Sequence, residues 1–312
     1  MSGLRARAEE YLAMRRALGF KLTTQGSHLM SFVSFCEDRG VLDRVTAELA
    51  IEWATRPAPR GRGSEVYQAR RLDTVRIFAR HLHALDPASE VPAEDVLSRR
   101  YWRVQPYLYS EEEIIALMDA TAVLAPALRA ATWRVLLGLL AVTGMRVGEA
   151  CRLARGDVGL DEASITITDA KFGKSRMVFL HPTAVTALRG YARVRDRAFP
   201  APAAATFFVN SRGGPLDAGN LKKGFDAVRT AAGISAPPGQ RPPRIHDLRH
   251  VWTVATLLQF YRDGGDVQAR LPLLSTWLGH VDPKSTYWYL DSVPELLGLA
   301  AARLEPDEQA GS

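Results

Sequence analysis

Cysteine is almost missing from this chain: Cys36 and Cys151 are the only two among 312 residues. Two such thiols form neither a disulfide framework nor a zinc ligand set, which excludes the stapled secreted domain and the zinc finger and suits a reducing compartment. Long apolar runs are missing as well. The longest clear one, Val135 to Val142, falls far short of the ~20 residues that cross a bilayer. At the N-terminus Arg5 and Arg7 are followed by Glu9 and Glu10, where a signal peptide would carry an apolar stretch. Lysine is scarce, six against 34 arginines, so a lysine in a suggestive place is less readily filler. No internal repeat or low-complexity tract is visible. Membrane and secreted classes are thereby excluded, and a cytoplasmic location is expected.

What is present is a globular composition, 47% hydrophobic and 24% charged, enough for a sizeable core. The length fits two domains at ~150 residues each, or one large one. The net charge of +6 permits an acidic partner such as nucleic acid without demanding one.

The first hundred residues read as helices. Tyr11, Leu12, Ala17 and Leu18 belong to one apolar stripe, and Leu29, Phe32, Val33 and Cys36 to a second, near helical spacing. Arg56 to Ser64 is a loop by its Pro and Gly content. A third helix carries Leu72, Val75, Ala79, Leu82 and Leu85 on one side, with Arg70, Arg76 and Arg80 largely away from it. Residues 87–109 resemble a linker, and Ser110-Glu-Glu-Glu113 is a capping box that starts a new helix. The expected organisation is a helical unit over 1–98, a linker over 99–107 and a second unit over 108–312. In the latter, 133–155 is expected to be helical and buried. Ser164–Thr168 and Arg176–Leu180 are strands joined by a hairpin loop, Thr206–Asn210 is a further short strand, and Asp217 is an N-cap. The fold class is mainly α with a small antiparallel β-sheet.

Four patterns carry chemistry, and each alone has an ordinary structural explanation. Thr143-Gly-Met-Arg146-Val-Gly-Glu149 puts a carboxylate one helical turn from an arginine, as in any ion pair. Lys171 and Lys174 lie in the hairpin loop, where lysines are commonly solvated. His246-Asp-Leu-Arg249-His250 places His246 and Arg249 three apart on one helix face. Leu278-Gly-His280 precedes Tyr287-Trp-Tyr289. Gly279 is a helix C-cap and Asp282-Pro283 an N-cap with Pro at the first helical position. The two tyrosines are about 200° apart around a helix, so only one can face a common site.

Taken in order, an arginine, a β-turn lysine, His-x-x-Arg, Leu-Gly-His and a tyrosine nine residues later, the set resembles the tyrosine recombinases of the phage-integrase superfamily. The resemblance is specific over the C-terminal unit and one of pattern only before it. It implies a helical core-binding domain followed by a catalytic domain. It also implies site-specific cleavage and rejoining of DNA through a 3′-phosphotyrosine, with no metal or other cofactor. Arg146 and Arg249 would then grip the scissile phosphate, with Glu149 supporting and His280 adding a hydrogen bond, and His246 with the arginines would supply the acceptor or cationic surround that the tyrosine hydroxyl needs. Lys171 would protonate the departing 5′-oxygen and Tyr289 would be the nucleophile; Tyr287, Lys174 and His250 are the nearest decoys. Arg60, Arg62, Arg70, Arg76, Arg80, Lys222 and Lys223 become DNA-contact candidates. The implied partners are double-stranded DNA in the nucleoid and three further copies, in a tetramer on two DNA sites, with residues 292–304 as a helix docking on a neighbour. An accessory recombinase or directionality factor stays open. So do a topoisomerase-like nicking enzyme and a non-catalytic DNA-binding accessory protein. With no added arm-binding segment visible, a simple or transposon-type enzyme is favoured over an arm-site phage integrase.

Overall fold

A computed structural model describes residues 3–57, 65–97, 105–168, 175–201, 203–279, 289 and 296–298. The chain divides into two compact units, Met1–Val104 and Gln105–Ser312.

The first unit is helical. Helices α1 (Leu4–Ala17), α2 (Thr23–Asp38), α3 (Ala47–Thr55) and α4 (Glu65–Leu85) turn their apolar stripes onto one core of Leu4, Leu12, Leu29, Phe32, Trp53, Leu72, Phe78 and Leu82. The side chain of Thr46 accepts from the Leu49 N–H and so caps α3, satisfying one of the orphan donors of its first turn. Two α4 arginines face inward. Arg71 lies over Trp53, 4.1 Å from the ring centroid, and donates to the carbonyls of Ala54 and Arg56 at the end of α3. Arg76, expected on the exposed side, is instead buried. It donates to the carbonyls of Pro92 (2.9 Å), Ala93 (2.7 Å) and Val96 (3.2 Å) and to Asp73. A guanidinium supplies five donors in a rigid fork, which suits it to pinning an irregular segment whose carbonyls have no ladder partner.

The second unit packs helices around a three-stranded sheet. Ser110 and Glu113 form the expected capping box at α5 (Glu111–Ala120). The central helix α6 (Ala127–Thr143) buries Leu128, Trp133, Leu136, Leu137, Leu139 and Leu140, residues from more than one face, as a helix covered on several sides must. The helical stretch expected over 133–155 consists of two helices. Gly144 adopts φ +62 and ends α6. The Glu149 carboxylate then accepts the Arg146 N–H at 2.9 Å, starting α7 (Val147–Arg152) in a new direction.

Strands β1 (Val158–Gly159), β2 (Ser164–Ile167) and β3 (Arg176–Phe179) form an antiparallel sheet in that order, with Ile165 opposite both Val158 and Val178. Thr206–Asn210 contributes only isolated bridges, Ala154 to Thr206 and Val209 to Pro215. After α8 (Pro182–Ala198), Asp217 caps a 3-10 turn that leads into α9 (Leu221–Ala231), and α10 (Asp247–Arg262) and α11 (Val267–Leu278) follow. Gly279, at φ +63, caps α11. Burial raises the thiol of Cys36 to about 12 and that of Cys151 to about 11, so neither is a nucleophile near neutral pH.

Gly144 has no substitute. A Cβ there would lie 2.4 Å from Trp252, in a backbone region that costs an L-residue roughly 1–2 kcal/mol. Gly144→Ala must displace that indole, and overpacking adds typically 1–3 kcal/mol. The expected result in a denaturant titration is a loss of about 2–5 kcal/mol, with a change under 0.5 kcal/mol contradicting this account.

Candidate active site

The site gathers where α6, α10 and α11 end or begin, and it is built largely from backbone carbonyls held by arginines. The Arg146 side chain, at the α6–α7 break, donates to Glu149 at 2.8 Å and to the Gly279 carbonyl at 2.9 Å. Arg249, in the first turn of α10, is buried and donates to the Gly144 carbonyl at 2.8 Å and the Leu278 carbonyl at 2.7 Å. The two arginines thus tie the same chain ends, the close of α6 and the close of α11. Each Nη so engaged has a second N–H, which leaves donors for an anion. Burial and the neighbouring Arg146 lower Arg249 from the usual arginine range, yet a guanidinium stays charged at neutral pH.

Glu149 is the hub of this arrangement. Its carboxylate accepts from the Arg146 backbone, from the Arg146 guanidinium and from both terminal nitrogens of Arg176, at 3.2 and 2.7 Å. Burial pushes its pKa up, but the Arg176 and Arg146 bonds outweigh that and hold it below the ordinary glutamate value. Arg176 also donates from Nε to the Trp277 carbonyl at 2.6 Å. As the first residue of β3, it fastens the base of the hairpin to Glu149 and to the end of α11. The Trp277 indole in turn donates to the Thr143 carbonyl at 3.0 Å and stacks on Trp252, with centroids 5.8 Å apart and planes 12° apart.

Near Arg249 lie the histidines and the tyrosine. His246 stands edge-on to His250, with ring centroids 5.1 Å apart. Burial, helped by Arg249 and Arg244, pulls His246 down to about 4. Burial, then His246, does the same for His250, so both are neutral at pH 7. The hydroxyl of Tyr289 lies 2.7 Å from His250 Nδ1. Its ring is buried with Val254, Leu257, Leu271, Leu274, Leu278 and Leu296, and a phenolate there would interact favourably with Arg249.

Five of the sequence-predicted site residues, Arg146, Glu149, His246, Arg249 and Tyr289, therefore meet in one cluster. Lys171, His280, Arg60 and Arg62 lie outside the described residues, as do Lys174, Tyr287 and most of 292–304. Of the other DNA-contact candidates, Arg70, Arg80, Lys222 and Lys223 are exposed, with Arg80 paired to Glu94 and Lys222 to Asp226. Arg76 is committed inside its own unit. Sequence reasoning missed Arg176 altogether, because its partners are 27 and 101 positions away. It noticed His250 only as a decoy for His246.

A helical unit followed by a helical unit with a small antiparallel sheet is the architecture of the tyrosine recombinases. The Tn1549 transposon integrase in complex with transposon right-end DNA matches with a TM-score of 0.64 at 15% identity, over 96% of this chain and 99% of that one. The XerA recombinase matches with a TM-score of 0.51 at 24% identity, over 96% and 97%. The chain belongs to the phage integrase family, whose model matches residues 108–295, and it is a tyrosine-type site-specific recombinase. Among its relatives is y4rB of Sinorhizobium fredii, assigned by name to the integrases/recombinases, 40% identical over 98% of each chain. The tyrosine recombinase XerD of Chlorobaculum tepidum is 29% identical over 71% of this chain and 69% of its own. Among the described residues no helix is long and apolar enough to cross a membrane.

Proposed function

We propose that this recombinase cleaves and rejoins double-stranded DNA by two transesterifications through a 3′-phosphotyrosine on Tyr289. The reading rests on a buried tyrosine whose hydroxyl meets the neutral imidazole of His250, itself against His246, within the electrostatic reach of Arg249, which Arg146 neighbours in turn. A DNA phosphodiester is anionic and repels nucleophiles. Two guanidiniums neutralise it with planar, paired donors and gain most where charge accumulates, in the pentacoordinate transition state. A tyrosine with a reference pKa near 10 is mostly protonated at pH 7 and needs an acceptor to attack. The 5′-oxygen is a strongly basic leaving group and needs a proton. Lys171 supplies it and His280 adds a hydrogen bond to the phosphate, both by family resemblance. Because one phosphoester replaces another, the exchange is close to balanced and requires no nucleotide hydrolysis.

Residues 1–98 act as a second DNA-binding unit, and four copies on two duplexes carry out strand exchange. The neighbour that supports this is a lambda integrase tetramer bound to a Holliday junction. Integration, excision, resolution and transposition all fit this chemistry, and the Tn1549 neighbour makes transposition the first to test. Arg70, Arg80, Lys222 and Lys223 touch phosphates, with Arg60 and Arg62. Lys222→Ala with Lys223→Ala should therefore weaken binding on every sequence alike and lower the salt slope by roughly one per lysine. Titration at several salt concentrations measures this; an unchanged slope would remove them from the interface.

The test of the reading is a nicked duplex carrying DNA from beside the gene, incubated with the protein and run on a denaturing gel. A covalent protein–DNA adduct formed without added nucleotide is expected. Tight binding to that duplex with no adduct would favour a non-catalytic accessory role.

A further inference from the structure

We propose that His250, backed by Asp247, is the general base that takes the phenolic proton of Tyr289, an inference that rests on Tyr289 being the nucleophile. The Tyr289 hydroxyl is 2.7 Å from His250 Nδ1, and the two rings are tilted at 50° with centroids 5.4 Å apart. A neutral imidazole that accepts at Nδ1 carries its own proton on Nε2. That nitrogen faces Asp247, whose Oδ1 is 4.0 Å away. Asp247 is fully buried and firmly held. Arg241 donates to both its oxygens at 2.9 and 3.2 Å, and Arg244 donates from its backbone at 2.8 Å and its side chain at 3.4 Å. Asp247 and His250 are three residues apart in the first turn of α10, so one helix face presents carboxylate and imidazole together. At 4.0 Å the carboxylate is beyond hydrogen-bond reach and acts on the ring as a nearby negative charge that favours the imidazolium formed when the base takes a proton.

Three further features fit this role. Tyr289 is only 3% exposed, so bulk water has little access to its proton. Besides Tyr289, the charged and titratable groups that act on His250 include His246, Asp247, Arg241 and Arg244. Burial and all of these except Asp247 disfavour a second ring proton, which keeps His250 in the accepting form at pH 7. Of these groups, Asp247 favours the imidazolium. As the Tyr289 oxygen bonds to phosphorus, its proton passes to His250 Nδ1, the bond from phosphorus to the 5′-oxygen breaks, and that oxygen receives a proton from Lys171. On rejoining, the 5′-hydroxyl oxygen bonds to phosphorus as its proton returns to Lys171, the bond from phosphorus to the phenolic oxygen breaks, and His250 returns its proton to Tyr289.

The experiment follows the single-turnover rate of adduct formation on the nicked duplex between pH 6 and 9 for the full chain, His250→Ala, His246→Ala and Tyr289→Phe. The unaltered protein should show a nearly flat profile. His250→Ala should be slower by roughly 10²–10⁴ at pH 7. Its rate should rise about tenfold per pH unit, because the phenol must now ionise to solvent below its pKa of about 10, and added imidazole should restore part of it. His246→Ala should be slower yet remain flat. A slow His250→Ala with a flat profile and no response to imidazole would make His250 structural only, and a tenfold-per-unit slope in His246→Ala would assign the base to His246. An adduct surviving in Tyr289→Phe would instead overturn the nucleophile itself, a failure separable from the other two.

Discussion

Tyr289→Phe is expected to form no covalent adduct at all while folding and binding DNA as before. The substitution removes one oxygen from a ring held among Val254, Leu257, Leu274, Leu278 and Leu296, and the ring itself still fills its place. The lost hydrogen bond to His250 is between neutral groups and contributes only about 1 kcal/mol to stability. Loss of a covalent nucleophile, by contrast, costs on the order of 10⁶ in rate, below detection on a gel. Affinity for the duplex should change little, because Arg146 and Arg249 keep their carbonyl anchors. Tyr287→Phe is the paired control and should retain the adduct. Loss in Tyr287→Phe alone would move the nucleophile by two residues.

The largest expected effect on folding comes from Glu149→Gln. The carboxylate holds Arg176, whose side chain is 8% exposed, and Arg146. Removing its charge leaves a buried guanidinium without its counter-ion, a change that costs roughly 3–5 kcal/mol when a buried pair is broken on one side. The sign of the pH dependence follows from the depressed pKa of Glu149. Its contribution is fully present above the unfolded glutamate value of about 4.3 and is lost as pH falls through the lower folded value. Urea titrations should show the unaltered protein losing stability across that acid range. The variant should be weaker at pH 7 and flatter below pH 5. A variant within 1 kcal/mol of the unaltered protein at pH 7 would mean that water reaches Arg176 and that the hub is not dry. Glu149→Gln should also slow cleavage, since Arg146 loses the partner that fixes its guanidinium.

How far the sequence announces all this depends on how local each signal is. The α5 capping box, the Gly279 cap and the two longer strands rest on neighbours within a few residues, and each is seen where the sequence puts it. The new direction of α7 depends on a carboxylate folding back from Glu149 onto the Arg146 N–H, which a helical pattern over 133–155 does not announce. Strand β1 has two residues, too few to show a period. Arg76 has the same spacing as an exposed residue, and only the carbonyls of Pro92, Ala93 and Val96 explain its burial. His246, expected as the acceptor for the phenol, shares one helix face with His250, so spacing alone does not separate the two imidazoles. The geometry puts His250 at the phenol. Arg176 is the clearest limit: its role exists only because β3, α7 and the end of α11 converge.

The most direct test of the account is to digest the protein–DNA adduct with nuclease and protease and map the modified peptide by mass spectrometry. A nucleotide joined through its 3′-phosphate to Tyr289 is expected, with a free 5′-hydroxyl on the released strand. A phosphate on Tyr287 or on a serine, or attachment through a 5′-phosphate, would contradict it.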